Sequence, residues 1–368
     1  MNNLHKLFYK PHGESLSSRL RVDPQLESQL RGAAALLARE LRTATSRMAD
    51  SLGLCASLCT PTFRAQGSFV YGTTISPVTP SHRLDLDIGL YLPEEFVLRL
   101  GGYGPNLVGD SSRRYFEFID GLLTNISQNF GLVYSKSEQR PHCCRIFLGA
   151  QRTLHVDVPI YVIADSAVTR LGAKLYTSNA ERSFGVRSPL LASRDGAWRE
   201  SDVRISTRRF ASALSRMCEP GSMLRLWRFL KAWRDFTWQG AGGPPSIVLM
   251  ELSTRALTSA KGVHQVGCDD LVLQRVFREF ATRLINPVLV RWGGGIEDLS
   301  RDASSLVRRE WAFEAERAAD RLEQARYSTN WAIATELLVQ VFGPRVGSEP
   351  DRSVSDRTHL DALVASYS

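Results

Sequence analysis

Apolar and polar positions along this chain follow three successive rhythms. Between residues 24 and 51 the period is helical: Leu26, Leu30, Ala33, Leu37 and Leu41 recur every three or four positions. Asp23-Pro24 provides the start, because an aspartate can cap free amides and proline fits the first helical position. A long amphipathic helix to about Ser51 is predicted, either a brace between two lobes or an ordinary surface helix. From Thr62 to Ile163 the period shortens to two. Leu84, Leu86 and Ile88 alternate with Asp85 and Asp87, and Leu154, Val156, Val158 and Ile160 alternate around His155 and Asp157. Both runs read as strands with an apolar and a polar face. Ser112 to Asn129 reads as a helix between them, Arg145 to Leu148 as a further strand, and Gly101-Gly102-Tyr103-Gly104-Pro105 as a loop.

After a polar stretch without clear register, Ala164 to Thr207, the helical period returns. Met223, Leu226, Trp227, Leu230 and Trp233 form one buried stripe. Trp331, Ala334, Leu338 and Val341 form another, stopped by Gly343-Pro344. Glu349 to Ser368 is polar and unpatterned, and there is no internal repeat. The chain is thus expected to divide into an N-terminal segment with its long helix (1–51), a mixed α/β core (52–207), a helical lobe (208–346) and a flexible tail (347–368).

Composition narrows the classes. The 368 residues are 43% hydrophobic and 23% charged, ordinary for a globular chain and long enough for two lobes. No run of about 18 apolar residues predicts a membrane span, and Met1 to Ser18 lacks the apolar centre of a secretory signal. Six cysteines, with only Cys143 and Cys144 adjacent, suggest no disulfide framework. A cytoplasmic protein is expected. The net charge of +8, carried by arginine, favours an anionic partner, nucleotide or nucleic acid, although arginine excess also follows from GC-rich coding.

The chemistry rests on three carboxylates. Hard divalent cations take oxygen ligands, and two of them about 3.5–4 Å apart can clamp the attacking and leaving oxygens of a phosphoryl transfer. Asp85 and Asp87 share a strand face at about 7 Å spacing, and Asp157 would complete the set from a second strand. An Asp-x-Asp pair alone is common in surface strands; a second inward aspartate in an apolar strand is harder to dismiss, because an unpaired buried carboxylate is costly. Upstream, Gln66-Gly67-Ser68 can open a helix whose free amides and hydroxyl receive phosphate, or it can be a simple turn.

Phe63-Arg64-Ala65-Gln66-Gly67-Ser68-Phe69-Val70-Tyr71-Gly72-Thr73, then Leu84-Asp85-Leu86-Asp87-Ile88-Gly89-Leu90-Tyr91-Leu92-Pro93, then His155-Val156-Asp157-Val158-Pro159-Ile160-Tyr161 closely resemble the cGAS/DncV-like nucleotidyltransferases (CD-NTases) of bacterial anti-phage signalling. Arg228-Phe229-Leu230-Lys231-Ala232-Trp233-Arg234-Asp235, Pro245-Ser246-Ile247-Val248-Leu249-Met250 and Val341-Phe342-Gly343-Pro344-Arg345 extend the likeness into the helical half. The resemblance implies a polymerase-β-like core of α+β class with a mixed sheet and a helical second lobe, with an active-site cleft between them. It implies two Mg²⁺ or Mn²⁺ ions on Asp85, Asp87 and Asp157. Gly67 and Ser68 would hold the donor triphosphate beside Gln66, Tyr71 would lie near a base or sugar, and Lys231 and Ser246 would bind donor phosphates.

The implied reaction joins purine triphosphates, ATP and in a mixed product GTP, into a cyclic oligonucleotide. A dinucleotide containing adenine is the expected ring, used by an effector encoded nearby. The alternatives are a linear RNA or terminal nucleotidyltransferase, and a silent nucleotide-binding scaffold. No required nucleic acid and no membrane are expected, and the protein would be a monomer or regulated by a partner protein. His155 shares a face with Asp157 and reads first as a structural or supporting histidine. His142-Cys143-Cys144 lacks further ligands for zinc, Trp227, Trp233 and Trp238 read as core or interface residues, and Gly293-Gly294-Gly295 as a connector.

Overall fold

The structure, a computed structural model, describes residues 4–10, 14–55, 59–77, 82–93, 96, 107–136, 140–163, 189–216, 220–239, 242–258, 268–292 and 295–346. The loop expected at Gly101–Pro105, the first part of the stretch expected at 164–207, Gly293-Gly294 and the tail from Glu349 lie outside these residues.

Two short helices, α1 (His5–Phe8) and α2 (Leu16–Arg19), precede α3 (Pro24–Ser51). The Asp23 carboxylate caps α3 by accepting from the Gln25 amide at 2.7 Å. There follow β1 (Thr62–Gln66), α4 (Ser68–Tyr71), β2 (Leu84–Pro93), α5 (Leu107–Phe130), β3 (Leu132–Tyr134), β4 (Cys143–Leu148), β5 (Leu154–Ile163), β6 (Leu190–Ala192) and β7 (Trp198–Glu200). Helices α6 (Val203–Ser215), α7 (Pro220–Thr237), α8 (Ser246–Thr258) and α9 (Asp269–Arg283) come next, then the ribbon β8 (Leu289–Trp292) and β9 (Gly295–Asp298), and last α10 (Ser305–Tyr327) and α11 (Trp331–Phe342). No described helix is long and apolar enough to cross a membrane.

Contacts divide the chain into two compact units, one of residues 21–224 with 289–297, the other of residues 1–20, 225–288 and 298–368. The first is built on a mixed sheet of α+β class in the order β1-β2-β5-β4-β3, with β6 beside β5 and β7 beside β6. β2 and β5 run parallel, and the other neighbouring pairs described in this sheet are antiparallel. The alternation read from the sequence is the structural fact that matters. Leu84, Leu86, Ile88, Leu90 and Leu92 of β2 and Leu154, Val156, Val158 and Ile160 of β5 are buried together with Leu30, Leu37 and Leu41 of α3 and Tyr115, Phe116, Ile119 and Leu123 of α5. Burying each of these side chains contributes about 1.5–3 kcal/mol, so this face holds the unit together, while the other carries polar residues beside the buried rings of Tyr91, Phe147 and Tyr161.

Part of the polar stretch expected at 164–207 is ordered. β6 and β7 are three residues each, too short to show a period. Their hairpin is secured by side chains: Arg194 reaches both oxygens of Asp120 on α5 at 2.7 and 2.8 Å, and the Ser112 hydroxyl donates to the Ser193 carbonyl at 2.6 Å.

The helical unit has its own core, with Trp227, Phe229, Leu230 and Trp233 of α7, Val248 and Leu252 of α8, and Phe277 and Phe280 of α9 all buried. Phe8 of α1 meets Phe229 and Phe342 edge-on, each at 5.5 Å. Trp227 and Trp233 are thus core residues; the half-buried Trp238 donates to Glu310. Gly343 ends α11 with a positive φ of 75°, and a Cβ there would lie 2.7 Å from the Phe236 ring.

Candidate active site

The register of β2 against β5 places Asp85 opposite His155 and Asp87 opposite Asp157. β1 adds Gln66 opposite Asp87, and β4 adds Arg145 opposite Asp157. Residues paired across neighbouring strands project to the same side. A polar row, Gln66–Asp87–Asp157–Arg145, therefore crosses four strands on the face turned away from the α3 and α5 core, with Asp85 and His155 one step along it.

Gly67 brings the expected phosphate seat to this row. Its φ of 68° and ψ of −150° suit glycine, and a Cβ built on it would lie 2.0 Å from Asp87 Oδ2. Only a residue without a side chain lets the Asp87 carboxylate lie against the backbone that opens α4. The first amides of α4, on Ser68 and Phe69, have no helical acceptor of their own. The Ser68 hydroxyl oxygen accepts from Thr74 Oγ1 at 3.1 Å, which leaves its own proton to be donated elsewhere.

Asp157 is 7% exposed and is held by Arg145, whose Nε and Nη2 each donate at 2.7 Å to one carboxylate oxygen. Burial works against the Arg145 charge, but the Asp157 hydrogen bonds and charge outweigh it and raise its pKa. Among the described residues no three His, Cys, Asp or Glu side chains converge closely enough to hold a metal ion. In this arrangement both oxygens of Asp157 are taken up by Arg145. The donor set nevertheless suits a hard cation, being three carboxylates on one face of two adjoining strands. Arg145 was missed in the sequence. Counting outward from the turn at 149–153 pairs Leu148 with Leu154 and hence Arg145 with Asp157.

Gln66 is 8% exposed; its Nε2 donates to Tyr161 Oη at 3.3 Å, while its buried Oε1 has no hydrogen-bond partner among the described residues. Tyr161 stacks on Tyr91 at 4.7 Å, and a Cβ on Gly89 would come within 2.9 Å of Gln66 Oε1 and 2.8 Å of the Tyr91 ring. Burial pushes the Tyr161 phenol up to about 12, keeping it a neutral hydrogen-bonding group. His155 is 3% exposed, and burial lowers its pKa to about 4, so its ring is neutral near pH 7.

Tyr71 is tied to α6: its hydroxyl lies 2.9 Å from Ser206 Oγ and its ring meets Phe210 edge-on. Lys231 and Ser246 belong to the helical unit. Lys231 is buried on α7, and Ser246 opens α8 with its hydroxyl accepting from Arg234 Nη1 at 2.6 Å. Arg234 lies one turn beyond Lys231 on α7 and also donates to Asp235 at 2.7 Å. Cys143 and Cys144 point to opposite faces of β4, and Cys144 donates to Asp120 at 3.5 Å.

Two family models match the chain. The nucleotidyltransferase domain of cyclic GMP-AMP synthase DncV-like proteins matches residues 61–161, and the cyclic GMP-AMP synthase C-terminal domain matches residues 221–352. A cyclic GMP-AMP synthase of Escherichia coli is 30% identical over 250 residues, covering 62% of this chain and 55% of that protein. The cyclic GMP-AMP synthase of Vibrio cholerae is 31% identical over 228 residues, covering 54% and 48%. The chain spans about half the length of the curated relatives it matches. Solved structures agree in fold over nearly the whole chain. Vibrio cholerae DncV in its apo form gives a TM-score of 0.73 at 21% identity, covering 94% of this chain and 96% of that one. The same synthase in complex with the linear intermediate 5′ pppA(3′,5′)pG gives 0.74 at 22% identity, covering 93% and 96%.

Proposed function

We propose that this chain, which belongs to the DncV-like nucleotidyltransferases, condenses two purine nucleoside triphosphates, ATP and GTP first among them, into a cyclic dinucleotide containing adenine. One observation carries the reading: Gly67 sets its backbone against the carboxylate of Asp87, in a cross-strand row that also contains Asp157. The closeness of this backbone to Asp87, with Asp157 opposite in register, supports a phosphate seat beside the carboxylates.

Gly67 and Ser68 receive the donor triphosphate through backbone amides and the Ser68 hydroxyl, at the positive end of a helical turn. Gln66, held by Tyr161, lines the same seat. Tyr71 braces the turn against α6 through Ser206 and Phe210, which keeps the seat in place beneath a base or sugar. Lys231 and Ser246 act as phosphate-binding groups of the helical unit. Asp85, Asp87 and Asp157 are the residues that would hold two divalent cations, Mg²⁺ or Mn²⁺, whose chemistry is to activate the ribose hydroxyl and neutralise the leaving phosphate. The acceptor hydroxyl attacks the donor α-phosphorus in line; a P–O bond forms as the bond to pyrophosphate breaks. Repetition between the free hydroxyl and the triphosphate of the linear intermediate closes the ring. Positioning and charge neutralisation carry the rate. The reading assigns the protein to the cytoplasm and its product to an effector encoded nearby.

The test is incubation with each NTP alone and in pairs with Mg²⁺ or Mn²⁺, followed by nuclease and phosphatase digestion and mass spectrometry. A resistant ring is expected without added DNA or RNA. Phosphatase-sensitive linear products would replace ring synthesis with terminal addition, and no pyrophosphate from any mixture would leave only a binding scaffold.

A further inference from the structure

Two strands in parallel register place four side chains at the corners of a quadrilateral: Asp85 and Asp87 on β2, His155 and Asp157 on β5. Three corners are the carboxylates of the proposed cation site. The fourth is unexplained. His155 is 3% exposed, and neither Nδ1 nor Nε2 has a hydrogen-bond partner among the described residues. A buried polar atom left unpaired is costly, so such an atom beside a reactive site points to a partner taken up in another state. The ring leans on Phe147 at 5.6 Å, which fixes its plane, and it brings Nε2 to 3.8 Å from Asp157 Oδ1. That gap is just beyond a hydrogen bond. On the other side of Asp157, Arg145 occupies both carboxylate oxygens.

We propose that His155 is a positioning residue for the cation-binding carboxylates: its Nε2–H donates to Asp157 when that carboxylate turns from Arg145 toward Asp87. The inference rests on the reading that Asp85, Asp87 and Asp157 bind divalent cations. A carboxylate that gives one oxygen to a cation keeps lone pairs for a donor, and such supporting donors govern how well the ligand is oriented. Arg145 and His155 flank Asp157 as alternative partners. The arginine holds the carboxylate in the arrangement seen here, and the imidazole holds it in the cation-bound one.

Cation affinity tests this apart from turnover. Mn²⁺ is titrated into the full-length protein, and the free ion is followed by electron paramagnetic resonance, for wild type, His155→Phe, His155→Gln and Asp87→Asn. The phenylalanine keeps a ring of similar size without nitrogen, and the glutamine restores an N–H near the Nε2 position. His155→Phe should weaken Mn²⁺ binding about tenfold or more, with His155→Gln returning most of it. Equal affinity in wild type and His155→Phe overturns the proposal, as does equal weakening in both His155 variants. Wild type binding no more Mn²⁺ than Asp87→Asn overturns the cation site itself, and this inference with it. A measurement on unsubstituted protein covers the case in which His155→Phe does not fold. In protein labelled with ¹⁵N at histidine, the His155 Nε2 resonance, assigned by its loss in His155→Gln, should be protonated and should move on addition of Mg²⁺. An unmoved resonance overturns the proposal.

Discussion

The two faces of the β2–β5 pair are made from alternate residues of the same ten-residue strands, yet they treat buried polar groups in opposite ways. On the α3 and α5 side, Asp120 is surrounded by donors: Arg194 at both oxygens, Tyr134 and Cys144. The hydroxyls of Thr45 and Tyr115 have no hydrogen-bond partner among the described residues, but they are near enough to each other to interact and a hydroxyl can rotate. On the opposite side Gln66 Oε1 and both His155 nitrogens are buried without a partner among the described residues, and three aspartates stand on adjoining strands. The core side surrounds its buried carboxylate with donors; the site side leaves an amide oxygen and an imidazole unmatched among the described residues. Stability and chemistry are thus separable by parity along one strand.

That contrast can be broken most forcefully at Asp87. Asp87→Asn should lower product formation about a thousandfold while the urea midpoint stays at or above that of wild type; a comparable fall in both would mean the faces are not separate. Leu90→Ala, one face over and fully buried, should do the reverse. It should cost about 2–5 kcal/mol in urea unfolding with turnover per folded molecule preserved.

Asp120→Asn sharpens the core side and carries a pH signature. Burial alone would raise the Asp120 pKa, but the bonds from Arg194 and Tyr134 outweigh it and hold the folded value below its ordinary 3.8. A depressed carboxylate contributes stability above its unfolded pKa and loses it as pH falls through the folded one. The substitution should therefore cost about 3 kcal/mol near neutrality and flatten the acid limb of the stability profile below about pH 4, as read by thermal melts across pH.

Gly67→Ala addresses the point where backbone meets carboxylate. Displacing Asp87 should reduce turnover about a hundredfold, and a crystal structure of the variant should show the carboxylate moved. The smallest effect is expected at Tyr71→Phe. It removes the hydroxyl link to Ser206 and should lower stability by about 1 kcal/mol, measurable by calorimetry.

Much of this architecture is legible in the sequence. Asp23-Pro24 marks the start of α3, because capping is local chemistry. Leu84 to Ile88 and Leu154 to Ile160 announce two-faced strands, and with them the side on which Asp85, Asp87 and Asp157 stand. Arg145 escapes a sequence reading because its importance lies in pairing with a residue of another strand. The role of β6 and β7 is hidden for the same reason: each is short, and Arg194 and Ser193 hold the hairpin through distant partners on α5. Ser246 is recognisable through its motif, but its bond to Arg234 spans two helices and leaves no periodic trace. Local rules write the elements; cross-element pairs write the site.

The parallel pairing of β2 with β5 has a consequence for a chain still being made. These strands are far apart in sequence, and parallel neighbours need a long crossover, so their pairing is non-local and slow. Until β5 docks, Asp85 and Asp87 stand on a strand with no Asp157 beside it. On the proposed reading, a chain cut short before β5 lacks the third carboxylate and should release no pyrophosphate from triphosphates.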